Sequence, residues 1–254
     1  MIISNRHRFI FLHNRKTAGS SISVALARYL GPDDLQLSAI VETLREGIPL
    51  TARVLREANR QMKGTLPLFR LLGTRQYGRA VTRAIDHAYR GRLGRKPPHS
   101  PAATVARVFP GEWATHTRFC VVRNPWDKTV SDYFWRIKGL RNPPDFATYV
   151  RALAAGDDLG GIVPVAFHDN WPLYTIDGQI ACHHVIRYEN LTRDLGRTLE
   201  QIGIAWDGWL PRAKGGTRAA GKDRPHYSQM YDDETAAIVE RLYAPEIKAF
   251  GYAF

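Results

Sequence analysis

One pattern constrains this chain more than any other, and it occurs twice. An apolar run breaks into small and charged residues and then restarts with a helical beat, first in FIFLHNRKTAGSSISVAL (residues 9–26) and again in FCVVRNPWDKTVSDYFW (residues 119–135). A short apolar run without polar alternation reads as a strand covered on both faces. In the first copy Ile22, Leu26 and Leu30 recur four apart, which predicts a helix over 20–30 that Gly31-Pro32 stops. In the second, Asn124-Pro125 opens a helix carrying Trp126, Val130, Tyr133, Phe134 and Ile137 on one stripe. A third strand is expected at 185–188, followed by a helix marked by Leu191, Leu195, Leu199 and Ile202. Further helices are expected over 145–153, 232–243 and 245–250.

Strands alternating with helices, without tight hairpin signals, predict an α/β fold: a three-layer, P-loop-like domain with a mainly parallel sheet flanked by helices. We read residues 1–254 as one domain with a helical insertion at about 34–97, in pieces near 34–47, 50–63 and 74–91. After it, Ser100 reads as an N-cap and Pro101 as the first helical residue, which sets His99 just ahead of a helix.

Charge is concentrated in the insertion. The chain's net charge is +12, and residues 45–96 hold 13 Lys and Arg against 3 Asp and Glu, an excess of 10 that leaves +2 for the rest. Such a segment favours anionic partners, whether an acidic glycan, an anionic membrane surface or nucleic acid, or else it is a solvated helical face. Cys120 and Cys182 have neither C-x-x-C spacing nor the number for a disulfide framework. The longest apolar runs fall short of the ~20 residues of a bilayer span, and no signal-peptide core opens the chain. The expectation is a soluble, cytoplasmic protein.

The first turn offers backbone N–H groups and hydroxyls at Gly19, Ser20 and Ser21 to an anion, with Lys16 as a point charge. It fails the Walker A pattern, because its lysine precedes the glycine that opens the helix. At the second turn Arg123 has the planar fork suited to a terminal phosphate, with Ser131 two helical turns on; pairing of Arg123 with Asp127 is the alternative. No metal set is evident, since the adjacent His183 and His184 on a strand would face opposite sides.

Together the two stretches resemble the cofactor signatures of sulfotransferases that use 3′-phosphoadenosine 5′-phosphosulfate (PAPS), closest to the branch of bacterial enzymes and Golgi carbohydrate sulfotransferases. RYENL at 187–191 and HYSQMYDDETAAIVERLYAPEIKAFGYAF at 226–254 are similar too, so the resemblance covers about three-quarters of the chain. It omits the insertion and residues 143–179, and Asn14-Arg15 stands where the family usually has an apolar residue and proline. The resemblance implies PAPS contacts from Arg15, Lys16, Thr17, Ala18, Gly19, Ser20 and Ser21, a 3′-phosphate site at Arg123 and Ser131, and a contact from Tyr227. It further implies metal-free transfer of the sulfuryl group to a hydroxyl of a carbohydrate or glycolipid. Lys16 would stabilise charge on the departing oxygen, and a histidine between the two motifs, His99, would act as base. His13 and Glu189 are the other base candidates. Lys214, Arg218, Lys222 and Arg224 occupy a Gly-rich loop that covers the nucleotide's 3′ end in related enzymes, although solvation explains most of them equally well.

Two rival readings make different demands. A kinase or other P-loop NTPase requires ATP with magnesium, which the misplaced lysine disfavours. A nucleic-acid-binding protein would use the basic helices but leaves both anion turns without purpose, so no nucleic-acid partner is expected.

Overall fold

The computed structural model describes residues 1–213 and 226–254. In chain order the elements are β1 (Ile2–Ser4), β2 (Phe9–Leu12), α1 (Gly19–Ala27), β3 (Leu35–Gln36), α2 (Ile40–Arg45), α3 (Ala52–Gln61), α4 (Thr74–Leu93), α5 (Ala102–Val108) and α6 (Pro110–Thr115). There follow β4 (Thr117–Val122), α7 (Pro125–Ile137), α8 (Phe146–Ala155), α9 (Trp171–Tyr174), β5 (Thr175–Ile176), β6 (Gln179–Ile180), β7 (His184–Arg187), α10 (Leu191–Gln201), α11 (Asp233–Leu242) and α12 (Ala244–Phe250). The described residues form two compact units. One comprises Met1–Asn14, Ala18–Val121 and Pro172–Ala213; the other comprises Arg15–Thr17, Val122–Trp171 and 226–254.

The first unit is α/β. Its five-stranded sheet has the order β3-β1-β2-β4-β7, with β2 and β4 parallel in the register Phe11↔Phe119 and Leu12↔Cys120. The two turns singled out in the sequence therefore leave the carboxyl ends of adjacent parallel strands, where α/β sheets bind ligands. The sheet is mixed, not mainly parallel as expected, because β1 pairs antiparallel with both β2 and β3. The β1–β2 hairpin has no Asn-Gly or Asp-Gly turn. It is pinned instead by buried Asp34, whose carboxylate accepts from the Ser4 hydroxyl at 2.6 Å and from the amides of Asn5 and Gly31 at 2.7 and 2.8 Å.

Phe9, Phe11, Phe119, Val121, Ile22, Leu26, Ile186, Leu195 and Leu199 pack into one core, which binds α1 and α10 to the sheet. Each such side chain withdrawn from water contributes about 1.5–3 kcal/mol.

The expected insertion starts with a strand: Leu35 and Gln36 join the sheet as β3, and helices follow as α2, α3, a 3-10 turn at Leu66–Leu72, and α4. The capping expectation at Ser100 is also corrected. Its hydroxyl donates to the Leu93 and Pro97 carbonyls, which closes the turn after α4, and Pro101 takes the position before α5.

The second unit is helical with its own core, in which Trp126, Val130 and Tyr133 of α7 meet Phe146, Tyr149 and Val150 of α8 and Ile238 and Val239 of α11. The stripe read on α7 is thus its buried face. Asn124 caps α7 by accepting from the Trp126 amide at 3.0 Å, and Asp145 and Asp232 cap α8 and α11 in the same way. No helix among the described residues is long and apolar enough to cross a membrane.

Candidate functional site

The loop between β2 and α1 contributes to both units, and its backbone is strained. Lys16 and Ala18 adopt positive φ, 61° and 62°, a region where a non-glycine residue costs roughly 1–2 kcal/mol. Ala18 in this conformation ahead of helical Gly19 turns successive N–H groups toward one point, the geometry of an anion nest.

In the first unit, α1 begins with no side-chain cap and no acidic residue in its first turn. Its leading N–H groups and the positive end of its dipole therefore remain suited to an anion. Ser23 donates to the Gly19 carbonyl at 2.7 Å and so holds the first turn closed. Ser21 Oγ accepts from the Ala213 amide at 3.2 Å, which leaves its own proton for donation.

Gly19 leaves no room for a side chain while His13 stays in place. A Cβ there would lie 2.0 Å from Cδ2 and 2.1 Å from Nε2 of His13, whose ring covers the start of α1. That ring stands 4.6 Å, centre to centre, from the ring of His99. His99 Nδ1 lies 2.7 Å from the His13 carbonyl oxygen. A carbonyl only accepts, so Nδ1 carries the proton and the lone pair of neutral His99 resides on Nε2, the arrangement a general base requires. The first unit thus gathers Gly19, His13 and His99, the last two being two of the three base candidates. Glu189 is exposed on the 3-10 turn Tyr188–Asn190.

In the second unit, Arg123 is 4% exposed. Its Nη1 donates to the Lys16 carbonyl at 2.9 Å, while Nε and Nη2 donate to Asp127 at 2.9 and 2.7 Å. The carboxylate pairing weighed as the alternative role for Arg123 is therefore present, together with a direct tie to the first turn. Lys16 Nζ sits 4.9 Å from the centre of the Trp135 ring. Ser131 is half-buried on α7. The Tyr227 hydroxyl accepts from Asn124 Nδ2 at 3.2 Å, which fixes the tyrosine beside the residue that caps α7.

Arg15 is held through its backbone by fully buried Asn170: Oδ1 accepts from the Arg15 amide at 2.9 Å and Nδ2 donates to its carbonyl at 3.0 Å. Its guanidinium lies 4.6 Å from the Phe167 ring centre. Burial lowers the Arg15 pKa to about 10, against the opposing pull of Asp132, so the group stays cationic at neutral pH. Its Nη1 is buried with no hydrogen-bond partner among the described residues. Arg15, Lys16, Lys128, Asp132 and His168 line a narrow pocket with room for little more than a water-sized group. Lys128 is buried there, 3.8 Å from the Tyr243 ring centre and 3.6 Å from Glu246 Oε2. With Lys128 paired to Glu246, Arg15 and Lys16 face one lining carboxylate, and the unsatisfied guanidinium N–H suits a small anionic group.

Sequence reasoning missed Asn170, His168 and Lys128. A signal existed only for the last: Lys128, Asp132 and Trp135 recur at i, i+4 and i+7, a second stripe on α7 that holds both the pocket's charges and the ring under Lys16. Lys214, Arg218, Lys222 and Arg224 lie outside the described residues. Among the described residues no three His, Cys, Asp or Glu side chains are grouped to hold a metal ion. Comparison of the chain with protein-family models, with curated proteins and with solved structures finds no match.

Proposed function

We propose that this protein is a PAPS-dependent sulfotransferase that acts on a hydroxyl of a carbohydrate or glycolipid. The observation that supports this reading most is the hydrogen bond from Arg123 to the Lys16 carbonyl. Those residues belong to the two stretches that resemble donor-binding signatures, they are 107 positions apart, and they touch. The orphaned Nη1 of Arg15 and the uncapped start of α1 are further features that fit a donor with several anionic groups.

In this reading the bound donor supplies an activated sulfuryl group, and the protein orients it and stabilises charge. The amides of Gly19, Ser20 and Ser21, with the Lys16 ammonium, hold the 5′-phosphosulfate, and Arg15, Thr17 and Ala18 complete that loop. Arg123 and Ser131 hold the 3′-phosphate, and Tyr227 supports the start of α7. His99 Nε2 takes the proton of the acceptor hydroxyl, and its Nδ1–H, bonded to the His13 carbonyl, keeps that nitrogen basic and oriented.

Calorimetry with 3′-phosphoadenosine 5′-phosphate (PAP), with ATP and magnesium, and with a random duplex tests the reading. Metal-independent binding of PAP, weakened about 10–100-fold in Arg123→Lys, is the expected result, because an ammonium cannot reproduce three directed N–H bonds. Asp127→Asn removes a carboxylate that competes for the same fork and should bind PAP as tightly as wild type or more so. Binding of ATP with magnesium but not PAP, or of the duplex alone, refutes the proposal.

A further inference from the structure

The insertion carries a surface that the proposed function does not use and on which that function does not depend. Between α3 and α4 the 3-10 turn Leu66–Leu72 is anchored by buried Leu66 and Tyr77, and the Arg70 guanidinium lies 5.3 Å from the Tyr77 ring centre. The same turn presents Leu68, Leu71 and Leu72 outward at 63%, 86% and 58% exposure. Water-exposed leucines clustered on one turn mark an interaction surface. The surrounding charge has one sign: residues 60–83 contain Arg60, Lys63, Arg70, Arg75, Arg79 and Arg83, all exposed, and no Asp or Glu.

We propose that this leucine crest and its basic rim dock on the anionic leaflet of a lipid bilayer. Leucines enter the boundary between headgroups and acyl chains while the arginines and Lys63 meet lipid phosphates, so one orientation satisfies both kinds of residue. A nucleic acid would engage the rim but has no use for three aliphatic side chains at the crest, since phosphate contacts come from charged and polar groups. A second copy of the chain would set one all-cationic rim against another. The lipid surface is the partner whose chemistry complements both features.

Co-sedimentation of the full chain with vesicles tests this. Binding is expected to vesicles of phosphatidylcholine doped with phosphatidylglycerol, not to phosphatidylcholine alone, and to weaken as salt rises from about 0.1 to about 0.5 M. The triple variant Leu68→Ser, Leu71→Ser, Leu72→Ser, which removes only exposed side chains, should lose binding about tenfold or more with its thermal unfolding unchanged. Arg70→Glu with Arg75→Glu should abolish it. Failure of wild type to bind the doped vesicles, or a serine variant that binds as well as wild type, overturns the proposal. So does a wild-type dimer in light scattering that the serine variant dissociates, or a duplex affinity that falls with the leucines. PAP binding by the same serine variant, measured separately, should be unchanged, so the outcome here is independent of the donor site.

Discussion

The contact between His13 and Gly19 permits a worked test of the loop's packing. In Gly19→Ala the new Cβ would stand 2.0 and 2.1 Å from two atoms of the His13 ring and 3.0 Å from its Cγ. The ring is 8% exposed, stacked 5.8 Å from Phe11 and 4.6 Å from His99, so it cannot swing clear without disturbing both neighbours. Overpacking of this kind costs about 1–3 kcal/mol. Unless the ring moves, the first turn of α1 must shift, and the anion-binding amides shift with it. His13→Ala removes the obstacle, so in the double variant alanine at 19 fits. The two substitutions should therefore couple, the double variant being about 1–2 kcal/mol more stable than the sum of the single effects. Urea unfolding of the four proteins at one pH measures the cycle. A Gly19→Ala protein as stable as wild type, or strictly additive effects, would refute this packing of His13 over Gly19.

Three further outcomes follow from other parts of the structure. Lys128→Met removes the ammonium 3.6 Å from Glu246, whose side chain is only 2% exposed, and should cost about 3–5 kcal/mol in urea unfolding, with most of it restored by adding Glu246→Gln; a loss below about 1 kcal/mol would show the pair to be incidental. Burial holds His168 below its ordinary pKa, with Lys128 adding to the effect, and burial also lowers His116 and His183, so the unfolded chain binds more protons in mild acid. Stability is therefore complete above the unfolded value of 6.5 and falls as pH drops toward the lower folded values; a urea midpoint indifferent to pH across that window would contradict this, and His168→Gln should flatten the slope. His99→Ala should lower sulfuryl transfer about 100-fold or more with PAP affinity retained, and unchanged turnover would remove His99 from the mechanism.

The parts of the fold that local chemistry dictates were legible in the sequence. β2 with α1 and β4 with α7 are each a continuous run whose period changes from strand to helix across a short turn, so nothing distant is needed to read them. The β1–β2 hairpin was not legible, because its register depends on Asp34, 30 residues beyond Ser4, and its turn contains no glycine. Missing it made the sheet read as mainly parallel. The hairpin of β5 and β6 did carry a local sign: Asp177 and Gly178, with φ of 51° and 74°, form the Asp-Gly turn favoured between paired strands.

The same division applies to the anion turn, and it bears on how the turn works. Lys16, Gly19 and the serines stand out in the sequence, yet a loop with left-handed Lys16 and Ala18 does not hold that shape by itself. Asn14 Nδ2 donates to the Val121 carbonyl at 2.9 Å just ahead of the strained residues. At the next position, directly before Lys16, Asn170 bonds both backbone groups of Arg15 from 155 positions away. Two asparagines acting as substitute backbone thus offset a strain of roughly 2–4 kcal/mol for the two left-handed residues. Because the bent loop is already formed, an anion that binds there need not supply the energy to bend it. The residues that would touch a ligand are recognisable one by one, whereas the residues that keep them ready are ordinary asparagines whose role exists only in the folded chain.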